Sequence, residues 1–214
     1  MIKENKKQII ASIIVILLPM IVGLCLWQHI PDQMPTHWNS AGEIDKYSSK
    51  EFAVFGLTVI LLVAHLLIVV GTAMDPKGKN VKGKMLSMIY WICPVISVVV
   101  YALMYAVGFG VEISVEVWIK VFVGIILAVM GNWLPKCQPN YTIGIRIPWT
   151  LNSEFNWKRT HRMAGPIWVV GGFITIISGF LGQVGTMIFV VVIILLVVSP
   201  MIYSYVLYKK FENK

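Results

Sequence analysis

Apolar positions in this chain do not spread at the periods of two or 3.6 residues that mark half-buried surface elements. They gather into six runs, over residues 9–27, 52–73, 86–107, 118–134, 163–181 and 184–207. A helix needs about 20 apolar residues to cross a hydrocarbon layer roughly 30 Å thick. The fourth run is the shortest, but Trp118 and Trp133 near its ends suit the interfacial aromatic belts of a bilayer. An open strand would leave backbone groups unpaired in lipid, and the short alternating segments of a membrane barrel are absent. The pattern predicts an all-α integral membrane bundle of six transmembrane helices.

Composition agrees. Of 214 residues, 57% are hydrophobic and 13% charged, against roughly 45–50% and 25% in soluble domains. Disorder is excluded, and a soluble single-core enzyme lacks the polar residues to cover its surface. The net charge of +8 becomes informative once mapped. With the N-terminus inside and alternating spans, the inner segments hold Lys3, Lys6, Lys7, Lys77, Lys79, Lys82, Lys84, Lys136, Arg146, Lys158, Arg159, Arg162, Lys209, Lys210 and Lys214, fifteen of the 18 basic residues. Asp32, Glu43, Asp45, Glu51, Glu112 and Glu116 lie outside or at its margin. This asymmetry predicts cytoplasmic N- and C-termini, and reads the basic balance as topology rather than direct nucleic-acid binding. The first run is a transmembrane helix rather than a signal peptide, because no small-residue cleavage site follows Trp27. Cys25, Cys93 and Cys137 make no C-x-x-C pair, so no zinc or disulfide framework is expected.

Within the runs, Gly165, Gly172 and Gly179 recur every seven residues, and Gly171, Thr175 and Gly179 every four. Small residues on one face let another helix approach closely. Pro19, Pro94 and Pro200 interrupt three other helices. His65 is the deep intramembrane polar residue, a candidate proton relay or an interhelical hydrogen-bonding group. Lys120 is near enough to the outer end to snorkel.

Two polar segments carry the remaining information. In the outward one, 28–51, Pro31 and Pro35 favour extended backbone, and Asn39 to Gly42 is turn chemistry. His37, Asp32, Glu43 and Asp45 can gather round a metal or stay a solvated loop; no spaced pair on a regular element selects a metal, so none is assigned. An acidic, aromatic-bearing outward loop also offers a docking surface for a cationic peptide. In the inward one, 135–162, Pro135, Pro139 and Pro148 forbid a single helix, and Asn152 or Ser153 can cap a new one with Glu154 in its first turn. At about 100° per residue, Trp157, Thr160, His161 and Ala164 share one face and Lys158, Arg159 and Arg162 the other, with Phe155 falling toward the basic side. This predicts an amphipathic interfacial helix running into the fifth span. The basic face meets either anionic lipid or a cytoplasmic partner. No nucleophile–base–acid arrangement, Gly-rich phosphate loop, H-E-x-x-H or G-x-S-x-G occurs, so no catalytic residue and no cofactor is assigned.

The outward residues Pro31, Pro35, His37, Trp38, Asn39, Gly42 and Asp45, in the order P-x-x-x-P-x-H-W-N-x-x-G-x-x-D, resemble the extracytoplasmic motif of the bacterial DUF1648 membrane domain. The inward residues Asn132, Pro139, Asn140, Gly144, Arg146, Pro148, Trp149, Thr150, Trp157, Thr160, His161 and Arg162, with Gly131, Tyr141, Leu151 and Gly165, are similar to the signature of the SdpI immunity-protein family. The resemblance covers nearly the whole chain. It implies a DUF1648-like unit at 1–84, two helices with the loop 28–51, and an SdpI-like unit at 85–214, four helices with the loop 135–162. It implies a non-enzymatic protein of the bacterial cytoplasmic membrane that gives immunity to a secreted peptide toxin. It further implies signal transduction, with an ArsR-type repressor held at the membrane. The outward motif is then the toxin-facing candidate and the inward motif the partner-facing one. The alternatives are a small transporter, using His65, and a membrane-embedded enzyme, using His37 with Asp32 or Asp45, or His161.

Overall fold

A computed structural model describes residues 1–39 and 42–212. Ser40 and Ala41, inside the turn expected at 39–42, and Lys214, counted among the inward charges, lie outside the described residues. The helices are α1 (Lys6–Cys25), α2 (Leu57–Met74), α3 (Lys84–Gly108), α4 (Val115–Trp133), α5 (Pro148–Asn152), α6 (Glu154–Ser178) and α7 (Gly182–Leu207). Five helices are long and apolar enough to cross a membrane, over Lys6–Cys25, Phe52–Met74, Lys84–Gly108, Val115–Lys136 and Gly182–Phe211. The fifth apolar run of the sequence lies in α6, whose first turns carry Lys158, Arg159 and Arg162; that helix is not among the five. Large apolar side chains such as Leu67, Val170 and Phe173 are exposed along the helices, the arrangement expected where the solvent is lipid.

The chain forms two compact units, residues 1–74 with 82–115, and residues 75–81 with 116–214. The grouping differs from the sequence division at 84/85, because α3 packs with α1 and α2. In this first unit α1 buries Ile9, Ser12, Ile16, Pro19 and Gly23, a spacing of three and four that keeps one stripe inward. Polar contacts tie the three helices. Ser12 bonds His65 at 2.8 Å, Tyr101 Oη donates to the Val54 carbonyl at 3.0 Å, and Tyr105 Oη donates to the Pro19 carbonyl at 2.9 Å.

The outward segment is not an irregular loop. It forms an antiparallel hairpin, β1 (Gln33–Trp38) with β2 (Ile44–Ser49), whose register is irregular between Pro35, His37 and Trp38. The sequence pattern missed it because only one side is apolar, and only at its base. There Met34 is fully buried with Ile30, Ala53, Val54, Tyr101, Met104 and Tyr105. The chain then passes through one π turn, Phe52–Gly56, into α2.

In the second unit α4 and α6 meet backbone to backbone. A Cβ on Gly124 would lie 2.6 Å from the Gly172 carbonyl oxygen, and one on Gly131 would lie 2.8 Å from that of Gly165. Both pairs are seven residues apart, so the glycine spacing on α6 has its match on α4. Gly171 turns instead to Leu196 of α7. Pro200 has no N–H, which leaves the Leu196 carbonyl without its helical donor; Trp168 Nε1 donates to it at 3.1 Å.

Candidate functional site

The inward motif, all within the second unit, builds a small polar fold on the start of α6. Ser153 caps this helix, accepting from the Asn156 N–H at 3.2 Å, and Glu154 begins it. As the periodicity predicts, Trp157, Thr160, His161 and Ala164 are buried while Lys158, Arg159 and Arg162 are exposed. The helix runs unbroken through Pro166.

His161 organises the segment above it. Its Nδ1 bonds the Trp157 carbonyl at 2.8 Å, and its Nε2 receives the Ile145 N–H at 2.9 Å. A carbonyl can only accept and an N–H can only donate, so Nδ1 carries the proton and Nε2 is bare. The ring is therefore neutral. Burial pushes its pKa from 6.5 down to about 4, against a smaller rise from the Trp157 carbonyl. The ring also stacks on Trp157, with centroids 4.1 Å apart, and Trp157 Nε1 donates to the Cys137 carbonyl at 2.8 Å. Gly144 sits on this pair at φ 110°; a Cβ there would lie 2.5 Å from His161 Nε2. With both nitrogens engaged, His161 is a structural post and has no nitrogen left for proton transfer.

Asn140 is the second organiser. Its Oδ1 accepts from the Thr142 and Ile143 N–H groups, both at 2.8 Å, and its Nδ2 donates to the Gln138 carbonyl at 2.7 Å. Thr150 Oγ1 donates toward the Ile145 and Ile147 carbonyls at 2.7 and 2.9 Å, closing the turn into α5. Arg146 lies exposed and donates to the Tyr141 carbonyl. Burial pushes the Cys137 thiol up to about 11, so it stays a protonated, unreactive thiol at neutral pH.

The motif residues thus separate. Pro139, Asn140, Thr150, Trp157, Thr160 and His161 are buried, and their side chains are occupied inside the fold. Asn132, Arg146, Pro148 and Arg162 are exposed, and Gly144 and Trp149 are half-buried. Only the second and third groups offer surface to another molecule.

Four residues that the sequence reading passed over also belong here. Asp75 Oδ2 accepts from the Tyr141 N–H at 2.8 Å and Thr142 Oγ1 at 2.7 Å, while Oδ1 accepts from the Lys77 N–H at 2.7 Å. Burial pushes the Asp75 carboxyl up, but these donors outweigh it and hold it below the usual carboxylate range. Asn80 Nδ2 donates to the Pro139 carbonyl at 2.7 Å. Asn156 Nδ2 donates to the Ser204 carbonyl at 3.0 Å, and Ser204 Oγ donates to Asn156 Oδ1 at 2.6 Å. The Asp-Pro turn after the second apolar run and the lone Ser204 near the end of α7 were the available signals.

The outward motif stands in the first unit. His37 Nδ1 and Asp45 Oδ1 are 2.5 Å apart across the strands. Asp32 pairs with Lys50 at 2.8 Å, which holds its carboxyl below the usual range. Asn39 Nδ2 donates to Glu43 Oε2 at 2.9 Å, and Gly42 takes the left-handed φ of 81° that the turn requires. Pro31 is exposed, Pro35 buried and Trp38 half-buried. The carboxylates and His37 considered as metal ligands are thus distributed among separate partners. Among the described residues no three His, Cys, Asp or Glu side chains converge on a common point.

His65 is fully buried. Ser12 Oγ donates to the Ile9 carbonyl at 2.7 Å, so its oxygen is left to accept from His65 Nε2; this is the interhelical hydrogen bond of the sequence reading. Lys120 corrects an expectation. It does not snorkel but is 4% exposed, bonded to Glu116 of its own helix and to Thr186 Oγ1 of α7 at 2.8 Å. Thr186 Oγ1 in turn lies 2.8 Å from Glu116 Oε1, so all three groups are satisfied together.

Residues 136–204 match the SdpI/YfhL protein family, and residues 14–62 match the domain of unknown function DUF1648. The chain is 30% identical to "Immunity protein SdpI" of Bacillus subtilis (strain 168), over 97% of its own length and 99% of that relative. The chain belongs to the SdpI family. The family match begins at Lys136, the last residue of the 3-10 turn that follows α4, and ends at Ser204, the partner of Asn156. It therefore covers most of the polar fold just described, leaving out Asp75, Asn80 and Asn132. No solved structure matches the chain.

Proposed function

We propose that this protein gives its cell immunity to a secreted antimicrobial peptide and passes the peptide's presence inward by holding a cytoplasmic ArsR-type repressor at the membrane. The observation that carries the immunity reading is the near full-length relationship to a protein named for immunity. In this reading α6 is a sixth span, both termini are cytoplasmic, and the hairpin faces out. Four carboxylates against two lysines in 31–51 support the hairpin as a docking surface for a cationic peptide. The role is binding rather than turnover, with no cofactor; the two occupied nitrogens of His161 support this over an enzyme that uses that residue.

On the inner side, the exposed motif residues Arg146 and Arg162, with Asn132 and Pro148, are the contact residues. The buried members of the motif hold them in place. Linkage requires the repressor to tighten peptide binding by the factor by which the peptide tightens repressor binding.

The test is expression in a peptide-sensitive host, scoring survival at increasing peptide dose. Protection, lost when residues 31–51 are replaced by a neutral linker in a protein that still reaches the membrane, is the expected result. No protection from the intact protein would refute the immunity reading. For signalling, the repressor should sediment with membranes when peptide is present and remain soluble with Arg146→Ala. Normal capture by that variant would remove Arg146 from the contact surface.

A further inference from the structure

We propose that a groove between α5, the start of α6 and the end of α7 binds the phosphate head group of an anionic phospholipid. The groove encloses about 400 Å³ and is lined by Trp149, Asn152, Ser153 and Tyr208. All four side chains carry hydrogen-bond donors. Its wall is rigid: Trp149 packs on Tyr205 with ring centroids 5.1 Å apart and on Tyr208 at 6.3 Å. A second aromatic contact, Phe155 on Phe211 at 5.6 Å, joins the start of α6 to the same end of the chain.

Depth and charge select the occupant. The apolar helix ending here spans Gly182–Phe211, 30 residues, or about 45 Å at 1.5 Å per residue. That exceeds a hydrocarbon core of roughly 30 Å and matches a bilayer with its head groups. The end holding Tyr205 to Phe211 therefore lies in the head-group layer, where Trp and Tyr are the favoured residues. The flanking stretches 154–162 and 205–212 carry Lys158, Arg159, Arg162, Lys209 and Lys210 against Glu154 and Glu212. Glu154 is 3.4 Å from Lys158. Lys209 stands 5.9 Å from the Tyr205 ring, which packs on Trp149, and the Arg159 guanidinium 4.8 Å from the Phe155 ring, so the cations rest on aromatic rings of the flanking stretches. A donor-lined groove at head-group depth with surplus positive charge fits one phosphodiester and its glycerol. An acidic peptide would instead need a broad exposed face.

The inference stands apart from the immunity reading and is tested without toxin. The full-length protein, purified in neutral detergent, is titrated with short-chain phosphatidylglycerol and phosphatidylcholine. Retained lipid is counted by native mass spectrometry. Phosphatidylglycerol should bind at least about tenfold tighter, as the surplus charge requires. Lys209→Gln with Lys210→Gln should weaken it about fivefold per charge. Asn152→Leu, at an exposed position, should weaken it with the charges intact. Lys3→Gln, Lys6→Gln and Lys7→Gln together should leave it unchanged. Equal retention of the two lipids would overturn the proposal, as would equal loss in the N-terminal variant. So would binding of a polyglutamate peptide that depends on Lys209 and Lys210 when phosphatidylglycerol does not bind.

Discussion

In the unit built from α1, α2 and α3, helices meet through side-chain polar groups: Ser12 with His65, Thr58 with Tyr101, Tyr105 with the Pro19 carbonyl. In the unit built from α4, α6 and α7, the α4–α6 contact brings backbone close to backbone, with the Ile176 side chain and the Cβ atoms of Ala128 and Trp168 beside it. Gly124 faces Gly172 and Gly131 faces Gly165, with backbone atoms at the distance a Cβ would occupy. In lipid there is little hydrophobic gain in bringing two apolar helices together, so packing and hydrogen bonds must supply it. The second unit adds hydrogen bonds of its own from α6 and α4 to α7, but its α4–α6 contact relies on close packing, and the two means differ in tolerance. A hydroxyl removed leaves helices that still pack; a methylene inserted between two backbones leaves no room for either.

The largest expected effect follows from that asymmetry. Gly172→Leu would drive its Cβ against the Ala128 backbone nitrogen and the Gly124 carbonyl, each 2.6 Å away. Ordinary overpacking costs about 1–3 kcal/mol, and it is relieved by moving side chains, an escape closed here. The variant should yield no monodisperse protein by size exclusion in detergent. Gly71→Leu, where a Cβ meets nothing within 4 Å, should run and melt like the parent. Equal behaviour of the two would break the comparison.

The second effect is the pH dependence of the inward motif, the polar part of the glycine-packed unit. The folded pKa of His161 lies at about 4, below its ordinary 6.5. A lowered pKa means the folded state binds fewer protons than the unfolded one. Its contribution is complete above pH 6.5, declines as pH falls toward 4, and is then gone. At 1.36 kcal/mol per unit the span is on the order of 3 kcal/mol. Denaturation midpoints measured between pH 7.5 and 4.5 should fall for the parent, and His161→Phe should flatten the slope. An unchanged slope would mean that groups other than His161 set the pH dependence.

How much of this was legible follows the same division. Long apolar runs announce helices whatever holds them together, so five spans were readable. The buried and basic faces of α6 were readable because a helix has one period and 154–164 keeps it. The heptad of Gly165 and Gly172 was readable, but not its partner, since spacing cannot name the opposite helix. The hairpin was hidden because two strands with only Met34 and Pro35 buried make almost no alternation. The inward motif was legible as residues and not as roles. His161 and Asn140 look like a binding surface in one dimension, and become internal posts once Ile145 N–H and the Thr142 and Ile143 N–H groups are found pointing at them. Asp75 was legible only as part of a turn for a related reason: the partners that tie it to the motif are 66 and 67 residues away.

A smaller effect is expected at that carboxylate. Asp75→Ala removes acceptors for the Lys77 and Tyr141 N–H groups and for Thr142 Oγ1. Hydrogen bonds to a charged group contribute about 1.5–3 kcal/mol, and the half-exposed position reduces this to about 1–2 kcal/mol. The loss should be local. Amide exchange should quicken over 140–146 while the α4 and α6 amides keep their protection. Uniform acceleration would mean that the 75–81 segment supports the whole unit rather than the motif.

The smallest effect returns to the first unit. Thr58 and Tyr101 lie 2.6 Å apart through their hydroxyls, and each also reaches the Val54 carbonyl. Interhelical hydrogen bonds of this kind average about 0.6 kcal/mol in membrane proteins, because the separated helices find other partners. Thr58→Val and Tyr101→Phe should each lower stability by about that amount. Each hydroxyl has one proton, so one donates to the other and the second to the Val54 carbonyl; that carbonyl keeps a hydroxyl donor in either single variant and has none in the double. The double variant should therefore lose more than the two singles combined, and a double-mutant cycle isolates the excess. Additive losses would mean the two hydroxyls act independently. A coupling as large as the glycine effect would mean that hydroxyl contacts are as unforgiving as backbone ones, which would dissolve the distinction between the units.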